Sequence, residues 1–252
     1  MRSAVSENIG TESELPDLNE DTRDRRFAST LAKGLRVMQA FKPGDASVGN
    51  RELARRTGMP PSTVARMTFT LTSMGFLEQL PSETYRLGPS VMALGYTARA
   101  NLSFLPMAEN IMQALADEVG ALVALCMRDG DAVMLTRCWR PRDASSLWLS
   151  EGHRLPLDSS AAGRAILAAD PATDAISDRD QLEVKGFLTS FGGWNSAVNA
   201  CAVPFQSTPG TAPLAFLCGA NAAQLDGDTL EQTVGPKLRD TVQTLRLSVG
   251  QL

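Results

Sequence analysis

The fold is decided by residues 50–76, which read NRELARRTGMPPSTVARMTFTLTSMGF. Asn50 is a favourable helix N-cap and Gly58 suits a left-handed helix end, so a short helix is predicted between them. A second helix begins at Pro61 or Ser62, because proline is well tolerated in the first helical turn. Its buried face is predicted by apolar residues three or four positions apart, namely Val64, Met67, Leu71 and Met74. The stretch therefore predicts two helices joined by a tight turn.

The segments on either side complete a small domain. A preceding helix is predicted from Thr30, where apolar residues again recur at helical spacing: Leu31, Leu35, Met38 and Phe41. After the second helix, residues 76–80 and 84–87 flank the turn Pro81-Ser82-Glu83 and predict a two-stranded wing. Three helices and a hairpin in this order form a winged helix-turn-helix, which we expect over residues 29–88.

The rest of the chain predicts a second domain of mixed type. Helices are expected over residues 107–119 and 161–169 and near the C-terminus, and strands over residues 122–127, 132–139, 200–205 and 214–219. Helices packed on an antiparallel sheet give an α+β domain. The predicted organisation is a disordered acidic tail at 1–28, the winged helix-turn-helix at 29–88, a linker helix at 89–105 and the α+β domain at 106–252.

Charge is strongly segregated along the 252 residues, although the net charge is only −4. Residues 23–99 carry twelve Lys or Arg against five Asp or Glu, a net +7. The flanking segments are acidic, at −5 for residues 1–22 and −6 for residues 100–252. Only the winged-helix region is therefore suited electrostatically to the phosphates of a nucleic acid.

A helix-turn-helix binds DNA by placing its second helix in the major groove, where the N-terminal side chains of that helix contact base edges. Here Ser62, Thr63 and Arg66 lie at the leading end of the second helix, and arginines of the first helix add charge for phosphates. The full set of expected DNA contacts is Arg51, Arg55, Pro61, Ser62, Thr63, Arg66, Thr70, Tyr85 and Arg86. A protein-binding module with a basic, solvated face is the alternative that this pattern leaves open.

Several classes of function find no support in the sequence. It has no apolar run of membrane-spanning length and no signal-peptide core, so we expect no membrane association and a cytoplasmic protein with reduced cysteines. The motifs GxSxG, HExxH and GxxxxGK are absent, and we expect no metal, no cofactor and no catalytic residues. Two alternatives remain: a thiol-based redox-responsive regulator, and an enzyme that uses Cys201 with His153, the single histidine, as its base.

The sequence resembles the IclR family of transcriptional regulators from about residue 29 to its end. The N-terminal resemblance is carried by the segments TLAKGLRVM (30–38), ELARRTGMP (52–60), STVAR (62–66), GFL (75–77) and YRLG (85–88). The C-terminal resemblance is carried by the segments RLPL (154–157), SAAGRA (160–165) and AVPF (202–205). It implies a GAF-like effector-binding domain, a homodimer or a homotetramer built as a dimer of dimers, and near-palindromic operators in double-stranded DNA.

The same resemblance implies an effector site where the Ala-Ala-Gly loop faces the strands. The residues expected there are Ser160, Ala161, Ala162, Gly163, Cys201, Phe216 and Cys218. Backbone N–H groups at the start of a helix in this loop would hold a carboxylate.

Two departures from the family pattern suggest which effector is bound. Where the family usually has an acidic residue, this chain has an aromatic segment with Phe187, Phe191 and Trp194, and Phe216 and Cys218 stand where hydroxyl residues are usual. Apolar contacts in place of hydrogen bonds favour a larger, flatter ligand. We therefore expect an aromatic or otherwise hydrophobic effector, such as an aromatic acid from a catabolic pathway, although ordinary core packing of these aromatic residues is the competing interpretation.

Overall fold

A computed structural model describes residues 26–142, 147, 149–208 and 210–250. Most of the predicted acidic tail, residues 1–25, lies outside the described residues. The described chain forms two compact units that divide between Asn101 and Leu102. Each unit has its own hydrophobic core.

The first unit is the winged helix-turn-helix. Its helices are α1 (Ser29–Gln39), α2 (Asn50–Thr57), α3 (Pro61–Ser73) and α4 (Pro89–Ala100). Its strands are β1 (Val48–Gly49), β2 (Leu77–Gln79) and β3 (Thr84–Leu87), in an antiparallel sheet of order β1-β3-β2. The two-residue strand β1 is too short to leave a sequence pattern and was not predicted. The other elements confirm the predicted winged helix.

The turn between α2 and α3 is stabilised by a left-handed glycine and by side-chain hydroxyls, one of which bonds the two helices together. Gly58 has a φ of 67°, the left-handed conformation that the sequence predicted for the end of α2. The buried Thr57 hydroxyl donates to the Leu53 carbonyl, and the buried Thr68 hydroxyl of α3 donates to the Asn50 side chain at the start of α2. These bonds satisfy polar groups that would otherwise be costly to bury.

An arginine brace connects α2 to the loop that precedes it. The guanidinium of Arg56 donates to both carboxylate oxygens of Asp45, at 2.5 and 3.1 Å, and to the carbonyl of Ala40 at 2.9 Å. Arg56 also donates to Glu52, one turn earlier in α2. Both charged groups of the Arg56–Asp45 pair are largely buried, so each needs the other as its partner.

The second unit is the α+β domain. Its helices are α5 (Leu105–Val119), α6 (Ala161–Ala169), α7 (Ile176–Lys185) and α8 (Gly235–Ser248). Its strands are β4 (Leu122–Asp129), β5 (Ala132–Trp139), β6 (Arg154–Pro156), β7 (Leu188–Phe191), β8 (Val198–Phe205) and β9 (Leu214–Asn221). A helical turn at Gly227–Thr229 and a π-helical stretch at Leu230–Val234 lead into α8.

The six strands form one antiparallel sheet of order β6-β5-β4-β9-β8-β7, with a separate hydrophobic core on each face. Successive side chains of a strand point to opposite faces, and β4, β5, β8 and β9 each contribute to both cores. The aromatic core packs α5 and α8 on one face and includes Phe104, Trp139, Phe205 and Phe216. The alanine-rich core packs α6 on the other face and includes Ala124, Ala162, Ala200, Ala202, Ala215 and Leu217.

Removing the carboxylate of the arginine brace is expected to loosen α2. Asp45→Asn removes one of the two carboxylate partners of the largely buried Arg56, leaving only Glu52, and should destabilise this part of the domain by about 2 kcal/mol. Arg56 holds the pKa of Asp45 below its ordinary value. The stabilisation is therefore complete above the pKa of an unfolded aspartate, about 3.9, and is lost as the pH falls through the folded-state pKa.

Hydrogen exchange of the α2 amides in the full-length protein measures this loosening, and exchange should become at least tenfold faster in Asp45→Asn. Glu78→Gln is the matched control, because the Glu78–Arg86 pair is well exposed to solvent and should contribute little. Equal protection of α2 in the two variants would show that the brace does not stabilise the helix.

Candidate functional site

The outward face of α3 is a narrow stripe of exposed residues. The opposite face of α3 is buried in the core of the winged helix through Val64, Met67, Thr68 and Leu71. The outward stripe follows from helical periodicity and consists of Ser62, Arg66, Phe69 and Ser73, all exposed. Of the predicted DNA contacts on this helix, Pro61 and Ser62 are exposed at its start and Thr63 is half-buried. Thr70 is exposed beside the stripe, where its hydroxyl donates to the Arg66 carbonyl.

The predicted arginine contacts fall into two electrostatic classes. Arg55 makes two 2.7 Å hydrogen bonds to Glu52, and Arg86 makes two 3.0 Å hydrogen bonds to Glu78. Hydrogen bonds from Arg55 and then Arg56 lower the pKa of Glu52 to about 2, so this carboxylate is ionised at neutral pH. Within the described residues, Arg51 and Arg66 are exposed and have no carboxylate partner. Their full positive charge is available to phosphates or bases.

The backbone at the start of α3 offers few donors for a phosphate. Pro60 and Pro61 have no N–H group, and the N–H of Thr63 donates to the Pro60 carbonyl at 2.9 Å. Among the described atoms, the Ser62 N–H is left without an acceptor at this helix end. Binding at this end therefore depends on side chains more than on the helix N-terminus.

The structure places one predicted DNA contact inside the protein. Tyr85 is 7% exposed, belongs to the core of the winged helix and pairs with Val48 of β1. Alternation along β3 sends Tyr85 inward and its neighbour Arg86 outward. The expectation that Tyr85 contacts DNA is therefore corrected, because its side chain packs in the core.

Sequence reasoning missed Phe69, whose side chain is 73% exposed in the middle of the outward stripe of α3. The signal was present: Phe69 lies three residues after Arg66 and seven after Ser62, on the same helix face. It was overlooked because only polar residues were assigned to that face.

A second exposed surface in this unit is apolar. No residue of α4 is buried, and large apolar side chains of α1 and α4 are open to solvent: Leu31, Leu35, Met92, Leu94 and Tyr96. A helix without a buried face gains nothing from the fold of its own chain. Exposed apolar surface of this size is typical of a contact with another protein.

The candidate effector site lies at the start of α6, on the alanine-rich face of the sheet. The Ser160 hydroxyl caps the helix by accepting from the Gly163 N–H at 3.1 Å, and it donates to the Pro156 carbonyl at 2.6 Å. Helix geometry leaves the N–H groups of Ala161 and Ala162 without an intrahelical acceptor. Gly163 is required by a close approach, because a Cβ there would lie 2.1 Å from the Leu157 carbonyl oxygen.

Trp194 is the predicted aromatic residue that packs beside this helix start. Its side chain is half-buried and packs against the alanine-rich core. The preceding Gly193 approaches Ser159 so closely that a Cβ would lie 2.6 Å from the Ser159 carbonyl oxygen. The structure therefore brings together five of the ten predicted effector residues: Ser160, Ala161, Ala162, Gly163 and Trp194.

The other five predicted effector residues do not lie at the start of α6. Phe187, Cys201, Phe216 and Cys218 belong to the aromatic core on the opposite face of the sheet. Phe216 packs there against Phe205, with ring centroids 5.4 Å apart. Phe191 is 53% exposed and lies beside Gly227. The strand residues that face α6 are instead their neighbours in sequence, Ala200, Ala215 and Leu217, because a one-residue offset in a strand reverses the face.

The cysteines are poorly suited to thiolate chemistry. Cys201 and Cys218 are buried cross-strand partners, and the hydrogen bond between them together with burial raises the pKa of Cys201 well above its ordinary value. Burial also raises the pKa of Cys126, and it raises that of Cys138 to about 11. Reactive cysteines have lowered pKa values, so the structure offers no support for the redox-responsive alternative.

The described residues give no sign of a metal site or of a membrane-spanning helix. No cluster of three or more His, Cys, Asp or Glu side chains in that part of the chain is arranged to hold a metal ion. No helix within the described ranges is long and apolar enough to cross a membrane.

Comparisons with known proteins agree with this architecture. Residues 30–81 match the IclR helix-turn-helix domain, and residues 96–187 match the bacterial transcriptional regulator IclR C-terminal domain. The crystal structure of an IclR family transcriptional regulator from Brucella abortus is 32% identical, with a TM-score of 0.76 and coverage of 92% of this chain and 97% of that chain.

Two further relatives extend this likeness. The HTH-type transcriptional regulator TsaQ1/TsaQ2 of Comamonas testosteroni is 27% identical over 242 residues, with 86% of this chain and 87% of the relative covered. An IclR homologue from Microbacterium hydrocarbonoxydans, crystallised as a complex with 4-hydroxybenzoate, shares the fold at 20% identity and a TM-score of 0.69, with 87% and 97% of the two chains covered. The relatives from Brucella abortus and Comamonas testosteroni are transcriptional regulators, which indicates a role in transcription rather than in enzyme catalysis. The chain belongs to the IclR family of DNA-binding transcriptional regulators.

Proposed function

We propose that the protein is an effector-responsive regulator in which a homodimer reads a near-palindromic operator in double-stranded DNA. The observation that carries the proposal is the outward stripe of α3, where Arg66 is exposed and has no carboxylate partner among the described residues, on a helix of the family's DNA-binding domain. We retain the division into a winged helix-turn-helix at 29–88, a linker helix at 89–105 and an effector domain at 106–252. Operators are chromosomal, so a cytoplasmic site of action follows from this proposal.

Charge availability ranks the arginines of the interface. A guanidinium that already binds a carboxylate must give up that bond, or bring a negative charge to the DNA, before it can bind a phosphate. Arg51 and Arg66 do not incur this cost, whereas Arg55 and Arg86 do. The first pair should therefore contribute more to DNA affinity than the second.

Arg66→Ala and Arg51→Ala should each weaken operator binding by about tenfold or more, since a base or phosphate contact of this kind contributes about 1–3 kcal/mol. Arg55→Ala and Arg86→Ala should weaken it less. Fluorescence anisotropy with the DNA upstream of the regulator's own gene, titrated with salt, measures both affinity and the number of phosphate contacts. Arg128→Ala, an exposed arginine of the second unit, is the control. Equal losses in all four interface variants would contradict the ranking.

The apolar surface of α1 and α4 supports the homodimer. Two copies that pair through this surface would bury α4, of which no residue is buried within its own chain, and would place two α3 helices on one DNA duplex. A two-fold symmetric protein requires a two-fold symmetric site, which is the physical origin of a palindromic operator. A tetramer would add a second contact between such dimers.

Leu94→Glu should convert the protein to a monomer, because a charge in an apolar interface loses its hydration. Sedimentation velocity measures the oligomeric state, and operator affinity should fall along with dimerisation. Val184→Glu is the matched control, because Val184 is an exposed residue of α7 in the other unit. A Leu94→Glu protein that remains a dimer would move the interface away from α4.

We propose that a hydrophobic acid, such as an aromatic acid, binds at the start of α6. The carboxylate would accept from the N–H groups of Ala161 and Ala162, where the helix dipole favours negative charge. The apolar part would lie on the alanine-rich face of the sheet, close to Trp194. Ala200, Ala215 and Leu217 make this face apolar. The expected preference for a hydrophobic effector therefore rests on these residues and not on Phe216 and Cys218. The structural relative that binds 4-hydroxybenzoate supports the same ligand class.

Trp194→Ala should weaken binding of 4-hydroxybenzoate and benzoate by about tenfold, because it removes a large aromatic contact next to the proposed carboxylate site. Phe191→Ala is the matched control, since Phe191 is 53% exposed and its ring lies beside Gly227. Calorimetric titration of the full-length protein with these acids, and with pyruvate as an aliphatic acid, separates the outcomes. Tight binding of pyruvate alone would reject the aromatic effector, and equal effects of the two variants would reject the proposed position.

A further inference from the structure

We infer that Phe69 reads thymine in the operator through contact with the 5-methyl group of the base. The inference rests on the proposed DNA-binding function and adds a specificity residue to it. Phe69 is the most exposed phenylalanine among the described residues, and its ring projects from the middle of α3. An aromatic ring on a solvated helix face is unfavourable unless a partner covers it.

Its neighbours identify the partner. Phe69 shares the outward stripe with Ser62, Arg66 and Ser73, so whatever covers the ring must also meet a cation without a carboxylate partner and two hydroxyl side chains. Such a surface fits the major groove, which presents acceptors of guanine, donors of adenine and cytosine, and one apolar group, the thymine methyl.

The spacing within the stripe agrees with the spacing of bases. Three residues of an α-helix advance about 4.5 Å along its axis, and adjacent bases of one strand are about 3.4 Å apart. Arg66 and Phe69 would therefore meet neighbouring base pairs when α3 lies in the groove. Arg66 suits guanine, which accepts a bidentate guanidinium, and Phe69 suits a thymine beside it.

The role of Phe69 differs from that of a general packing residue in a testable way. The ring is not part of the core of the winged helix, so its removal should leave folding intact. The contact needs only the methyl group of the base, and deoxyuridine differs from thymidine by that group alone. A burial of one methyl group corresponds to about a fourfold change in affinity.

The experiment uses the full-length protein and an operator duplex obtained by in vitro selection from a random pool. Each thymine of the duplex is replaced in turn by deoxyuridine, and affinities are measured for the wild type, Phe69→Ala, Phe69→Leu and Arg66→Ala. The wild type should lose about fourfold in affinity for each contacted methyl group. Phe69→Ala should bind the thymine and deoxyuridine duplexes equally, Phe69→Leu should keep part of the difference, and Arg66→Ala should bind both more weakly with the ratio preserved.

Three results would overturn the inference while leaving the DNA-binding function intact. Phe69→Ala could retain the wild-type preference for thymine, or no deoxyuridine substitution could affect the wild type. Sedimentation could also show that Phe69→Ala changes the oligomeric state, which would place the ring in a contact between subunits. Selection of no operator by the wild type would instead refute the proposed DNA-binding function, and this inference with it.

Discussion

Successive side chains of a β-strand point to opposite faces of the sheet, and the organisation of the effector domain depends on this constraint. The four strands β4, β5, β8 and β9 each supply residues to both faces: the large aromatic side chains lie on the face under α5 and α8, and most of the buried alanines lie on the face under α6. Phe216 and Leu217 are adjacent in sequence, yet they belong to different cores. A ligand at the start of α6 therefore meets the small residues, and its contacts are set by which residue of each adjacent pair faces it.

In the DNA-binding unit, too, the positions of side chains along an element decide which face they share, but here the element is a helix with a period of 3.6 residues. One face of α3 is fixed in the core, so the opposite face consists of residues that packing leaves free. Acidic neighbours then decide what the surrounding arginines do. Arg56 is held by Asp45 as a structural brace, Arg55 is held by Glu52, and Arg66 remains available. A count of basic residues therefore overstates the charge that this domain presents to DNA.

Long periodic segments were predictable from the sequence, and short or geometrically determined features were not. The caps and apolar spacing of α1, α2 and α3 gave their positions to within a residue or two. Strands β1, β6 and β7 and helix α7 were not predicted. Strands β2 and β3 are equally short, and they were predicted because the turn Pro81-Ser82-Glu83 lies between them. Four of the misplaced site residues share one cause: Tyr85, Cys201, Phe216 and Cys218 lie on strands, where a shift of one position reverses the face. The exposure of Phe69 was predictable from its position on the outward face of α3, but only if apolar residues are assigned to helix faces in the same way as polar ones.

The balance of charge has a consequence for how specificity must arise. Between residues 23 and 99 the chain has a net charge of +7, but two of the exposed arginines in the interface already bind carboxylates. Sequence-independent affinity grows with the number of phosphates that are neutralised, so this surface gives a modest general attraction. Screening at physiological salt limits each charge to a range of about 8 Å. Discrimination between sites must therefore come from the few side chains that face the groove at contact distance, and on α3 those are the residues of one helical stripe.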